Sequence, residues 1–220
     1  PHRVNEDLRK RFAEVVSAQG VTGDVVSPPD LGSLAVVAHL CNENDIPIGV
    51  TSGAPSTHQN APRGGVVVSV HRLNEIVVAG PGLTVRAGPG ATVAHLREAV
   101  TKARLAVVGL GADTGSAHVG TLIARGDVAR RALSGIEAVL STGDTVKAGG
   151  AVLKDVVGYD LLAALLGSAG RLAIIASVTF RLEPAAGRTP ASKPPGARTW
   201  EPALADAFDP KRLLRSGTAR

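Results

Sequence analysis

The stretch from residue 143 to 184 limits the choice of fold more than any other part of this chain. It reads Gly-Asp-Thr-Val-Lys-Ala-Gly-Gly, later Leu-Lys-Asp-Val-Val-Gly-Tyr-Asp-Leu, then Gly-Ser-Ala-Gly-Arg-Leu-Ala-Ile-Ile, and it closes on Val-Thr-Phe-Arg-Leu-Glu-Pro. Gly143-Asp144 separates two strand-like runs, 136–140 and 145–148, as a hairpin turn does, and Gly149-Gly150 ends the second run. Residues 160–166 form a short apolar helix, with Asp160 as its N-cap and Gly167 as its stop. Residues 172–182 are rich in β-branched side chains and read as a buried strand that Pro184 closes. The order is hairpin, helix, long strand, and the expected class is α+β.

The preceding residues read as an alternation of helices and strands. Leu8, Phe12, Val15 and Val16 share one face of a helix over 5–18. Residues 21–26 read as a short strand. Asp30 then caps a helix in which Leu34, Val37, Ala38 and Cys41 repeat at helical spacing, and 46–50 return as a strand. After a polar loop at 51–62 comes an apolar strand, 65–70. Residues 76–78 and 83–87 pair around Gly80-Pro81-Gly82. Thr92 caps a helix running to Ala103, with Val93, Leu96 and Val100 on its apolar face. Residues 105–110 read as a strand leading into Gly111-Ala112-Asp113-Thr114-Gly115-Ser116-Ala117-His118-Val119-Gly120-Thr121.

This ordered set of turns resembles the flavin-binding domain of the FAD-linked oxidases of the vanillyl-alcohol oxidase type. Within that family it is most similar to the D and E subunits of bacterial glycolate oxidase. The residues that carry the resemblance are 143–150, 154–161, 167–175 and 180–184. It implies a two-lobed FAD-binding domain over 1–184, with a small α/β lobe at about 21–75. A larger lobe of mixed or antiparallel sheet and helices would span about 76–184. Residues 185–202, rich in Pro, Ala and Gly, read as a linker. Residues 203–220 contain Ala207-Phe208-Asp209-Pro210 and resemble the family's C-terminal tail. In the family a substrate-binding cap domain, of roughly 100 residues or more, stands between these two parts; here only the linker does. The resemblance therefore supplies no substrate-holding His and Arg, and no catalytic residue is assigned.

The cofactor implied is FAD. The family's Gly-rich pyrophosphate turn falls on 51–57, where glycine lets backbone N–H groups approach phosphate; Ser52, Gly53 and Ala54 are the residues carried over. Pro55 removes one N–H donor there, and an ordinary surface loop is the alternative. The family's flavin and ribityl turns assign Gly115, Ser116, Gly120, Thr121 and Ile175, and a helix N-terminus near Val119 presents N–H groups to an anion. His118 and Thr121 stand where the family has Thr and Gly. His58 and His118 lie in loops suited to a covalent flavin link. The loop after Ala124 is shorter than in the family. Its Arg125, Arg130 and Arg131 either bind an anion or form a solvated or partner-facing cluster. Tyr159 is a proton donor or a packed, hydrogen-bonded phenol.

Composition excludes several other classes. The net charge of +5 is spread along the chain, with no aromatic-interleaved basic patch, so nucleic acid is not an expected partner. One cysteine, Cys41, cannot form an intramolecular disulfide or hold an iron–sulfur cluster. The six histidines are scattered and suggest no metal site. No apolar run of about 18 residues is present and no secretion signal is visible, so the expected location is cytoplasmic, with membrane association only through partners. Pro1 is not an initiator residue, so the start reads as processed or incompletely represented.

Two functions remain. One is an FAD-binding subunit of a 2-hydroxy-acid dehydrogenase complex, working with a catalytic D-type flavoprotein subunit and an iron–sulfur subunit. The other is a flavin-free assembly subunit that keeps the fold.

Overall fold

In the computed structural model, residues 4–54, 61–79, 81–111, 117–149, 160–187, 194–196 and 202–215 are described. The chain opens with helix α1 (Glu6–Val16), whose Asn5 side chain accepts from the Leu8 N–H at 2.8 Å. Leu8, Phe12 and Val16 are its buried face. The expected single strand at 21–26 is a small hairpin instead. Strands β1 (Val21–Thr22) and β2 (Val25–Val26) pair antiparallel about Gly23, which sits at φ +60. Helix α2 (Leu31–Glu43) starts at Asp30, whose carboxylate accepts from the Ser33 N–H at 2.7 Å. That bond holds the Asp30 carboxyl below its usual range.

Strands β3 (Ile48–Thr51) and β4 (Val66–Ser69) run parallel to each other, and β4 runs parallel to β2. All four residues of β4 are buried, as befits a central parallel strand covered on both sides. The fifth strand of this sheet comes from the far end of the chain. Helix α6 (Pro202–Phe208) leads into β11 (Leu214–Arg215), which pairs parallel with β3, giving the order β1-β2-β4-β3-β11. Buried Asp209 holds the bend: its carboxylate accepts from the N–H groups of Leu213 and Leu214 at 3.0 and 2.7 Å. Lys211 donates to the Asn42 carbonyl and to Asp45.

The second sheet is antiparallel. Its strands are β5 (Ile76–Ala79), β6 (Thr84–Ala87), β8 (Leu133–Val139), β9 (Thr145–Gly149) and β10 (Ile174–Pro184), in the order β5-β6-β10-β8-β9. A further strand, β7 (Leu105–Val107), pairs with the end of β10. It is shorter than the 105–110 run suggests, because Gly109 turns the chain at φ +62. Helices α3 (Val93–Lys102), α4 (Val119–Arg125) and α5 (Leu161–Leu165) contribute to the core on one side of this sheet. Thr92 caps α3 through the His95 N–H, and Asp160 caps α5 through the Ala163 N–H.

The two sheets have separate cores joined through β10. Opposite Ala138 and Glu137 lie Ile175 and Ser177, leaving Ala176 as an extra residue in the ladder. Such a bulge inverts the alternation of side chains beyond it. Ile174 and Ala176 thus pack into the core of α1, α2 and the parallel sheet, whereas Val178, Phe180 and Leu182 pack into the core of the antiparallel sheet. The tail also touches both cores: Leu204, Ala205 and Phe208 lie against the second and Leu214 in the first. On the outer face of the antiparallel sheet is a groove of about 360 Å³. There Glu137 accepts from Ser177 at 3.0 Å and pairs with Arg86 and Lys147 at 3.3 and 3.4 Å.

Candidate functional site

Because β2, β3 and β4 are parallel, their carboxyl ends open on one edge of the sheet. Open α/β sheets bind ligands at such an edge. Here β2 runs into Ser27, β3 into Ser52-Gly53-Ala54 and β4 into Val70-His71. Ser27 and Ser52 are buried, and Gly53 is half-buried. Ser69, the polar residue that closes β4, is wholly enclosed, and its hydroxyl donates to the Gly53 carbonyl at 2.7 Å. His71 Nδ1 lies 2.9 Å from the same hydroxyl. Burial, and secondarily the adjacent Arg72 charge, lowers the His71 pKa below its ordinary 6.5, so the ring is neutral at pH 7. Arg72 turns away to the carbonyls of Val16 and Ser27.

The other lobe closes on this loop from the side. The turn at 88–91 lies backbone to backbone against 71–75: Gly88 and Gly90 donate to the carbonyls of Glu75 and Leu73. A Cβ on either glycine would overlap a main-chain carbonyl, of Leu73 or of His71. At the start of α4, a Cβ on Gly120 would collide with Ser52 Oγ and lie 2.9 Å from Pro89 Cβ. His118 Cε1 is 3.8 Å from the position a Cβ on Gly53 would take. The structure thus brings Ser52, Gly53, Gly120 and His118 together across the two lobes.

The remaining expected site residues are placed differently. Ala54 is exposed and Thr121 is half-buried in the first turn of α4. Ile175 is paired with Ala138 in the ladder, and its side chain belongs to the core of the antiparallel sheet. Gly115 and Ser116 lie outside the described residues, as do Pro55, His58, Lys154, Asp155 and Tyr159.

Two expectations need correction. The start of α4 does not offer a full set of N–H groups to an anion: Val119 donates to Ala91 and Gly120 to Pro89. The arginine cluster is not uniformly solvated either. Arg130 forms a forked ion pair with Asp160 at 2.8 to 3.2 Å and also donates to the Leu133 carbonyl. The Arg130 hydrogen bond is the main reason the Asp160 carboxyl stays below its usual range. Arg125 and Arg131 are exposed, with Arg131 lying over Gly109. Sequence reasoning also passed over Ser69 and His71. The available signal was the one polar residue ending an otherwise apolar strand, followed two positions later by a histidine.

The site fits a flavin dinucleotide. Gly120 lacks a Cβ where α4 meets Ser52 and Pro89, while Gly53 faces His118 at ordinary van der Waals distance. None of Ser52, Gly53, Ala54, Ser69, His71, His118 and Gly120 is a carboxylate that would repel a pyrophosphate. Among the described residues no group of acids, histidines and cysteine could hold a metal ion, and no helix is long and apolar enough to cross a membrane.

Comparison with known proteins agrees with this reading. Residues 24–155 match the FAD binding domain family. The chain is 32% identical over 177 residues to a D-lactate dehydrogenase of Archaeoglobus fulgidus, covering 73% of this chain and 38% of that protein. It is 26% identical over 178 residues to the glycolate oxidase subunit GlcD of Bacillus subtilis, covering 76% and 38% of the two chains. A D-lactate dehydrogenase of Anaerostipes hadrus is 31% identical, with 84% of this chain and 46% of that one covered. The chain therefore spans less than half the length of these relatives. Among solved structures, p-cresol methylhydroxylase with substrate bound superposes with a TM-score of 0.62 at 17% identity, over 80% of this chain and 42% of that one. Phl p 4, in a variant described as a glucose oxidase, gives 0.60 at 18% identity, over 84% and 41%. With the parallel edge and the family match in agreement, the chain belongs to the FAD binding domain family, and it shares its fold with p-cresol methylhydroxylase and Phl p 4.

Proposed function

We propose that this chain is the FAD-binding subunit of a glycolate oxidase-like 2-hydroxy-acid dehydrogenase complex, passing electrons from substrate to a partner subunit. The observation that supports it most is that both lobes grip the loop at 52–54: Ser69 holds the Gly53 carbonyl, and Gly120 lies against Ser52. In this reading residues 1–184 are the cofactor-binding unit, 185–202 a linker, and 203–220 a tail. Ser52, Gly53 and Ala54 receive the pyrophosphate. Gly115, Ser116, Gly120 and Thr121 border the ribityl chain and flavin, and Ile175 is the family position on β10. When bound, FAD supplies the acceptor for the two electrons and the hydrogen leaving the substrate's α-carbon. The chain's own residues bind and orient it. Arg130 pairs with Asp160; in this reading the groups that hold a 2-hydroxy acid come from a D-type flavoprotein partner, and electrons leave through an iron–sulfur subunit.

The test is the visible absorption spectrum of the purified chain before and after denaturation. About one equivalent of released FAD is expected, reducible by D-lactate or glycolate once the partner is added. A colourless protein that takes up no added FAD would sink the proposal. One observation favours the second reading, a flavin-free assembly subunit: the N–H groups of Val119 and Gly120 are already bonded within the protein. The same spectrum decides between the two.

A further inference from the structure

Strand β5 is an outer strand of the antiparallel sheet, and among the described strands it pairs with β6 alone. It reads Ile-Val-Val-Ala, without the charge, proline or bulge that commonly guards such an edge. The opposite outer strand, β9, does carry a guard in Lys147. Val77 is 45% exposed on the outer face, and Ile76 and Val78 are only half-buried on the inner one. With Leu83, two of the three large apolar side chains exposed among the described residues lie on this hairpin. The backbone of β5 is half used. Gly88 donates to the Glu75 carbonyl, so the bonds to β6 run through Glu75, Val77 and Ala79. The N–H and C=O groups of Ile76 and Val78 therefore point away from β6, and nothing among the described residues bonds them.

We propose that the β5 edge is an interface with a second copy of this chain, which joins two antiparallel sheets into one. The four outward groups are complementary to themselves. A second β5 laid antiparallel, with a two-fold axis through Val77, sets Ile76 opposite Val78 of the second copy and Val78 opposite its Ile76. Both are hydrogen-bonded pairs, so four bonds form and none of the four groups is left over. Val77 meets Val77 of the second copy on the outer face, and Glu75 meets Ala79, so no like charges stand opposed. Each copy spends its β5 edge, and the contact closes as a two-fold dimer instead of growing into a fibre. An overlap this short falls at the small end of specific interfaces, below about 1,200 Å², so the dimer is expected to depend on concentration. This interface goes beyond the FAD reading and stands whether or not flavin is bound.

The test is sedimentation of the full chain over a concentration series, as wild type, Val77→Lys, Val77→Glu and an equimolar mixture of the two variants. Wild type is expected to pass from monomer to dimer as concentration rises. Each variant alone sets like charges opposite each other and should raise the dimer dissociation constant about tenfold or more. The mixture should recover the dimer, because lysine then meets glutamate. Val77→Cys gives a second readout. A non-hydrogen-bonded pair brings its Cα atoms to about 4.5 Å, within reach of a disulfide, so mild oxidation should link two chains, while Cys41 stays buried. A wild-type chain that remains monomeric at every concentration overturns the proposal. So does a dimer that Val77→Lys leaves as tight as before. A mixture no tighter than either variant alone, or a Val77→Cys dimer that oxidation does not link, overturns it as well, because residue 77 would then not face itself.

Discussion

Replacing Gly120 with alanine tests whether the two lobes meet as closely as described. In an ordinary helix Gly→Ala gains up to about 1 kcal/mol. Here the added methyl lies 2.9 Å from Pro89 Cβ and 3.2 Å from the Pro89 carbonyl oxygen, against an optimum of about 3.5–4.0 Å for carbon pairs. Ser52 Oγ also lies in its path, but a serine can change rotamer. The Pro89 ring cannot, and its carbonyl is held by the Gly120 N–H. Overpacking of this kind costs about 1–3 kcal/mol. Set against the helical gain, the net loss is up to about 2 kcal/mol. At roughly 2–4 °C per kcal/mol for a chain of this size, the melting temperature of the FAD-free protein should fall by up to about 8 °C. Adding Ser52→Ala should recover part of that, since it removes one collision and leaves the other. Thermal unfolding followed by circular dichroism is the assay. A Gly120→Ala protein more stable than wild type would refute the close approach, because the methyl would then be acting only as a helix former.

Three further outcomes follow from the same geometry. Asp209→Ala leaves the N–H groups of Leu213 and Leu214 without their acceptor and should cost about 2–4 kcal/mol; hydrogen exchange should speed up first at Ile48, whose N–H bonds the Leu213 carbonyl, and unchanged protection there would refute the clasp. At Glu137, burial pushes the carboxyl pKa up, but Ser177, Arg86 and Lys147 together outweigh it and hold the pKa below its ordinary 4.5. Its contribution to stability is therefore complete above about pH 4.5 and is lost as pH falls through the lower folded value. Glu137→Gln should flatten that part of the acid unfolding curve, and a curve of unchanged slope would count against the network. Burial raises the Cys41 thiol to about 12, so thiol reagents at pH 8 should label it only after unfolding; prompt labelling of the native protein would contradict its place in the core.

The features legible in the sequence were those in which cause and effect lie a few residues apart. Asp30, Thr92 and Asp160 act on N–H groups three positions on, and each caps the helix expected of it. The Gly143-Asp144 signal works within its own hairpin, where Leu140 and Asp144 close the turn. The apolar run at 65–70 announced a buried strand, and the ordered turns of 143–184 announced the family. Features that depend on distant partners stayed hidden. Nothing near Leu214 shows that it pairs with Ile48, because the register is set by a bend that Asp209 makes and by an edge open beside β3. The Ser69–His71 chain to Gly53 depends on two parallel strands ending level. Gly120 was expected as a cofactor contact; its closeness to Ser52 depends on how one lobe is seated on the other. Residues 21–26 read as one strand, but Gly23-Asp24 in the middle of the run makes the turn of a hairpin.

The extra residue at Ala176 has a mechanical consequence. By inverting the pleat once, it makes β10 a shared beam, with Ile174 and Ala176 set in one lobe and Val178, Phe180 and Leu182 in the other. A hinge between the lobes would have to bend this beam or pull buried side chains out of one core, and each fully enclosed side chain resists by about 1.5–3 kcal/mol. The chain's tail, anchored in both cores, braces the same joint. The seam between Ser52 and Gly120 is thus held shut whether or not anything lies beside it. A ligand that binds beside it meets lobes already fixed in their relative positions, so its binding should be governed by entry past the loops rather than by closure of the lobes.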